Sequence, residues 1–139
     1  MLRKNRHANY DLEFHLVVVT KYRHPVIKDQ VKERLLALTH YILEEKWGCW
    51  ISEINTDSDH IHILFEAKPQ VQLSKLINNF KTVTSRRLRK EFATELAPFY
   101  WKPYFWSDTY FIASVSERSH EQVKKYIRNQ GAQTIASPR

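Results

Sequence analysis

Along YDLEFHLVVVTKY (10–22), Leu12, Phe14 and Leu16 alternate with polar residues, and the run then becomes continuously apolar at Val17, Val18 and Val19. Period-two alternation closing into an aliphatic run predicts a strand that passes from half-buried to central. From Lys28 to Trp47 the period changes: Val31, Leu35, Leu38, Ile42 and Leu43 recur at helical spacing, and Asp29 stands where a side chain can cap the first turn. CWISEINT and HIHILFEA return to short strand patterns, joined by Asn, Thr, Asp and Ser, which turn the chain by bonding their own backbone. They read as a hairpin. Leu73, Leu76, Ile77, Phe80, Val83, Leu88 and Phe92 predict a long helix over 72–93. Pro98 and Pro103 punctuate PFYWKPYFW, and the aromatic and β-branched residues of DTYFIASVS predict a fourth strand. A last helix is expected from Ser119 to Gly131, where glycine should stop it, with TIASPR frayed beyond.

The resulting order, β-α-β-β-α-β-α, contains the βαββαβ arrangement of ferredoxin-like (RRM-like) folds. That is an α+β class with an antiparallel sheet and helices on one face, here followed by a further C-terminal helix. No linker or repeat interrupts the pattern, so residues 1–139 are expected to form one domain.

Charge narrows the partners. With 22 Lys and Arg against 15 Asp and Glu, the net charge is +7, an excess that favours a polyanion such as nucleic acid but also fits a ribosomal or membrane-surface protein. Cys49 is the single cysteine, which excludes an internal disulfide and any CxxC metal site and is compatible with a reducing cytoplasm. The basic start MLRKNRH lacks an apolar signal core, and LVVV is strand-sized, so neither a leader nor a membrane span is expected. With Gly48 and Gly131 as the only glycines, glycine-rich phosphate loops are absent and no nucleotide cofactor is expected.

The candidate chemistry starts at His60 and His62. On a strand they share a face, with Ile61, Ile63 and Phe65 on the other, so two imidazoles could hold one cation. Alone, such a pair more often marks a strand edge beside an acidic turn; a convergent third group is needed. In HEQVKKYIRNQ, Val123, Tyr126, Ile127 and Gln130 fall in one helical arc, away from Lys124, Lys125 and Arg128. A tyrosine beside Val and Ile is usually core. The glutamine is harder to explain as core, because its carbonyl oxygen is a hard metal ligand that needs a partner if buried. A tyrosine hydroxyl near a divalent cation is also a plausible nucleophile.

Together the histidine-hydrophobe-histidine strand and the later Tyr-x-x-x-Gln closely resemble the single-tyrosine HUH transposases of the insertion-sequence 200/605 family. TKYRHPV, DSDHIHILFE, LSKLINNFKTVTSRRLRKEF, FWSDTYFIASV and KKYIRNQ are similar to family segments in family order, over nearly the whole chain. The resemblance implies that His60 and His62 bind a divalent cation, magnesium or manganese, with Gln130 completing the protein ligands. It implies that Tyr126 is the nucleophile of a transposase that cuts single-stranded DNA at hairpin-bearing element ends. A 5′-phosphotyrosine link would form and a 3′-hydroxyl would be released for rejoining. It further implies a homodimer, in which the tyrosine helix of one subunit serves the histidine pair of the other, acting on DNA in the cytoplasm. The turn SVSERSHE departs from the glycine-rich turn expected of the family, which bears on how easily the tyrosine helix moves.

For DNA contacts, Lys75, Arg86, Arg89 and Lys90 cluster opposite the apolar stripe of the second helix, while Arg87 falls inside the apolar arc, where its stem can pack and its head reach a partner. In KYRH and FYWKPYFW basic and aromatic residues interleave, which nominates Lys21, Tyr22, Arg23 and Lys102; Trp106 reads instead as core or a dimer contact. The competing functions are a non-catalytic single-stranded nucleic-acid-binding module of ferredoxin-like fold and a metal-dependent hydrolase in which water attacks.

Overall fold

The computed structural model describes residues 3–4, 9–10, 12–116 and 118–136. Four strands form one antiparallel sheet: β1 (Glu13–Val19), β2 (Trp50–Asp57), β3 (His60–Glu66) and β4 (Phe111–Ser114), in the order β2-β3-β1-β4. A separate two-residue ladder pairs Arg3–Lys4 with Asn9–Tyr10. The helices are α1 (Asp29–His40), α2 (Leu73–Glu91), the short α3 (Ala93–Leu96) and α4 (Ser119–Ala136). This is the ferredoxin-like α+β architecture that the βαββαβ order predicts.

The central strand has two differently used faces. Leu16 and Val18 enter the main core with Ile61, Ile63 and Phe65 of β3, Leu35 and Leu38 of α1, and Leu76, Ile77, Phe80 and Leu88 of α2. Val17 and Val19 point the other way and pack with Val123 of α4. Trp106 is core, as the sequence allows: its indole N–H donates to Thr84 Oγ1 at 2.8 Å and its ring lies beside Phe80. Trp101, 85 % exposed, is the opposite case.

Three expectations on the helices change. Asp29 does not cap α1: the capping position is Lys28, no side-chain cap bond is made, and Asp29 is the first helical residue with φ at +51°. A short polar side chain tolerates that left-handed start, but from inside the helix it no longer meets the first turn's N–H groups. The helical run does reach Lys46, but through a widened π turn over Tyr41–Lys46, after which Trp47 donates to Ile42 and Gly48, at φ +67°, ends it. The last helix does not stop at Gly131 but runs on to Ala136. Glycine ends a helix only where the backbone turns left-handed; within one it merely lowers propensity. Residues 134–136 of TIASPR are thus helical, and 137–139 lie outside the described residues.

Phe80→Ala should cost about 3–5 kcal/mol of unfolding free energy in urea titrations, whereas Trp101→Ala should change it by less than about 0.5 kcal/mol.

Candidate metal and nucleophile site

His60 and His62 take their places from the pairing of β3. Across β1 they face Val19 and Val17; across β2 they face Asp57 and Asn55. Residues directly opposite share a face, so the histidines lie on the side away from the main core, where α4 crosses the sheet.

Each imidazole is held by a polar neighbour. His60 Nδ1–H donates to Asp59 Oδ1 at 2.8 Å, and Arg23 Nε donates to Asp59 Oδ2 at 2.7 Å. Burial alone would push the Asp59 carboxyl upward, but hydrogen bonds from Arg23 and His60, with their charges, hold it below its ordinary value. The same Arg23 donates through Nη1 to the Ile127 carbonyl of α4 at 3.0 Å. His62 Nε2 lies 2.8 Å from His15 Nδ1, and His15 Nε2 lies 2.9 Å from Ser119 Oγ. Burial first, then neighbouring His15, pushes His62 down to about 4. Burial and then His120 lower His15 as well. Both rings are therefore uncharged at neutral pH, the state in which imidazole can bind a metal.

Tyr126 and Gln130 are brought together as their spacing predicts, one turn apart on the sheet-facing side of α4. The Tyr126 ring packs on Phe111 with centroids 5.3 Å apart, and its hydroxyl lies 3.2 Å from Thr109 Oγ1. Gln130 Nε2 donates to the same Thr109 oxygen at 3.1 Å. Burial raises the Tyr126 hydroxyl above its ordinary value, against the opposing bonds to Thr109 and Gln130. Thr109 precedes β4, whereas the histidines sit on β3, and β1 runs between those two strands. The structure thus makes two half-sites on one sheet face, a histidine pair and a Tyr-Gln pair anchored at Thr109. Among the described residues, no three His, Cys, Asp or Glu side chains gather as a cation site.

The nominated DNA contacts divide. Lys21 is buried, paired with Asp108 at 3.4 Å and 4.9 Å from the Tyr104 ring centre. Tyr22 sits edge-on to His24 and Tyr104, and Arg23 serves Asp59 and Ile127. Lys75, Arg86 and Lys90 are exposed; Arg89 donates to Ser85 Oγ. Arg87 reaches Glu91 on its own helix at 3.1 Å. Lys102 is exposed 4.7 Å from the Trp101 ring centre, a cation and an aromatic side by side at the surface.

Sequence reasoning misses His15, Ser119 and Thr109. His15 left one signal, a polar residue at the same parity as Val17 and Val19 in an otherwise apolar strand. The other two depend on which turn meets which strand, and no spacing encodes that.

Residues 8–130 match the family model described as transposase IS200 like. The chain is 30 % identical over 129 residues to the ISDra2 transposase TnpA of Deinococcus radiodurans, covering 93 % of this chain and 91 % of that protein. It is 25 % identical over 124 residues to the transposase for insertion sequence element IS200 of Salmonella typhimurium, covering 89 % and 80 %. The crystal structure of a candidate transposase from D. radiodurans R1 superposes with a TM-score of 0.82 at 31 % identity, over 92 % of this chain and 97 % of that one. A REP-associated tyrosine transposase bound to a REP hairpin shares the fold, with a TM-score of 0.52 at 11 % identity, over 99 % and 81 %.

The depressed His62 value has a signed consequence. The unfolded imidazole takes up its proton near 6.5 and the folded one only near 4, so between these values the unfolded state binds more protons and folding weakens as pH falls. In metal-free buffer the melting-temperature advantage of the wild type over His62→Gln should shrink as pH is lowered from 7 to 5. An advantage that is constant or grows refutes the shift.

Proposed function

The chain belongs to the IS200-like transposases, and from that premise we propose that it cuts and rejoins single-stranded DNA at insertion-sequence ends, with Tyr126 as nucleophile. His60, His62 and Gln130 would hold a magnesium or manganese ion, in a site shared between the two subunits of a homodimer. The observation that carries this reading is the sheet face itself: two histidines on one face of a strand, crossed by a helix that presents a tyrosine and a glutamine one turn apart.

The donors suit the ion. His60 gives its Nδ1 hydrogen to a carboxylate, which leaves the Nε2 lone pair for coordination and makes the ring a better donor. Gln130 gives Thr109 its amide nitrogen, and its carbonyl oxygen is the hard ligand such cations prefer. A bound cation of this kind supplies Lewis-acid polarisation of a phosphoryl oxygen. The Tyr126 oxygen attacks phosphorus as its hydroxyl gives up its proton, the bond to the 3′ oxygen breaks and that oxygen gains a proton to leave as the 3′-hydroxyl, and the 5′ phosphate stays on the tyrosine. The phosphotyrosine keeps the energy of the broken diester, so a 3′-hydroxyl can reverse the step without ATP.

Burial keeps the Tyr126 hydroxyl protonated where it sits, against the opposing bonds to Thr109 and Gln130, and Thr109 holds it across β1 from the histidines. That placement suits a tyrosine that reacts elsewhere, and the histidine pair of a second copy is the partner we propose. Hairpin-bearing DNA is the proposed substrate. A protein of the same fold holds a hairpin, and the exposed Trp101–Lys102 pair offers unpaired bases a stacking face beside a phosphate-binding cation.

Incubation with magnesium or manganese and single-stranded DNA carrying the element's end hairpin should give a denaturant-resistant protein–DNA adduct, which Tyr126→Phe abolishes. Binding without any adduct would favour a non-catalytic nucleic-acid-binding module, and cleavage that survives Tyr126→Phe would favour attack by water. Mixing Tyr126→Phe with the His60→Ala, His62→Ala double variant should restore about a quarter of the wild-type adduct. Half of the dimers are then mixed, and each mixed dimer has one intact shared site. No restoration would place tyrosine and histidines of a working site on one chain.

A further inference from the structure

Both ring nitrogens of the fully buried His15 are engaged, Nδ1 with His62 Nε2 at 2.8 Å and Nε2 with Ser119 Oγ at 2.9 Å. The direction of these bonds follows from Ser119. Its hydroxyl lies 2.8 Å from the Ser116 carbonyl oxygen, which can only accept, and it receives the Ser116 N–H at 3.1 Å. A hydroxyl has one proton. Given to His15, that proton would leave the Ser119 and Ser116 oxygens facing each other lone pair to lone pair; given to the carbonyl, it makes all three contacts attractive, with His15 Nε2–H donating to Ser119. A buried imidazole whose hydrogen-bond partners are a hydroxyl and another imidazole is uncharged, so its second nitrogen, Nδ1, carries a lone pair. The remaining contact must then run from His62 Nε2–H to His15 Nδ1.

We infer that His15 is a positioning residue for His62: anchored on Ser119 at the first turn of α4, it holds His62 in the Nε2–H tautomer and leaves the Nδ1 lone pair for a cation. His60 is held the other way round, with its Nδ1 hydrogen on Asp59 and its lone pair on Nε2. The two histidines of the strand therefore offer different nitrogens. Both are tied to α4, His62 through His15 to Ser119 and His60 through Asp59 and then Arg23 to the Ile127 carbonyl. Groups that fix the tautomer of a metal-bound histidine typically matter ten- to a hundredfold in metal affinity. The use of the His62 lone pair rests on the proposed metal site; the position of the proton does not.

Long-range 15N–1H correlation spectra of the metal-free protein read that proton directly. Expected are Nε2–H tautomers for His15 and His62 in the wild type, and the same His62 state in His15→Asn, whose amide oxygen stands where Nδ1 was. The His62 preference should disappear in His15→Leu. Manganese titrations followed by electron paramagnetic resonance should show affinity near wild type for His15→Asn and about 10–100-fold weaker for His15→Leu. A wild-type spectrum with the proton on His62 Nδ1 overturns the inference whether or not manganese binds, and so does wild-type manganese affinity in His15→Leu. If manganese fails to bind the wild type, the metal reading falls, while the spectra still decide the tautomer.

Discussion

The register of β1 against β3 is the constraint on which everything else rests. Leu16 opposite Ile63 and Val18 opposite Ile61 turn one parity of both strands into the main core, and the other parity, His15, Val17 and Val19 with His60 and His62, is thereby forced onto the second face. A slip of one residue would invert every side chain of the moved strand. It would expose Leu16, Val18, Ile61, Ile63 or Phe65, at about 1.5–3 kcal/mol each, and drive imidazoles into the aliphatic layer. No set of single hydrogen bonds, at about 1 kcal/mol net, could offset that. The histidine pair is therefore placed by the burial of its neighbours rather than by any interaction of its own.

This explains what could be read from the chain and what could not. Strand parity and helical arc are local periodicities, so the order of elements along the chain, the shared face of His60 and His62 and the grouping of Tyr126 with Gln130 were all legible in the sequence. Contacts between elements were not. That His15 meets His62 depends on a diagonal step across β1 and β3, and that Thr109 receives both Tyr126 and Gln130 depends on how α4 is laid over β4. Charge was legible in amount but not in use. Lys21 and Arg23 look like phosphate contacts in KYRH, yet one is buried against Asp108 and the other braces Asp59 and the Ile127 carbonyl. The positive charge that reaches solvent is carried instead by residues such as Lys75, Arg86, Lys90 and Lys102. The failed cap at Asp29 and the helix that runs through Gly131 are the same lesson at short range. A capping or stopping residue acts only if the backbone adopts the dihedral angles its role needs.

The seats of the helices differ in kind. On one face α1 and α2 bury a continuous layer of large side chains, including Leu35, Leu76, Ile77, Phe80 and Leu88. On the other, α4 buries Val123 and half-buries Tyr126 and Ile127 against Val17, Val19 and Phe111. Its remaining hold is polar, at Ser119 on His15, at the Ile127 carbonyl on Arg23, and at Tyr126 and Gln130 on Thr109. An element with little buried apolar area and individually weak polar ties stands at the low end of local stability. The turn that leads into α4 has no glycine. What governs the seat is whether those polar ties are made, and two of them end on residues that also hold His60 and His62. The orientation of the histidines and the seating of the tyrosine helix are consequently one equilibrium, and whatever pulls on either side of it is felt on the other.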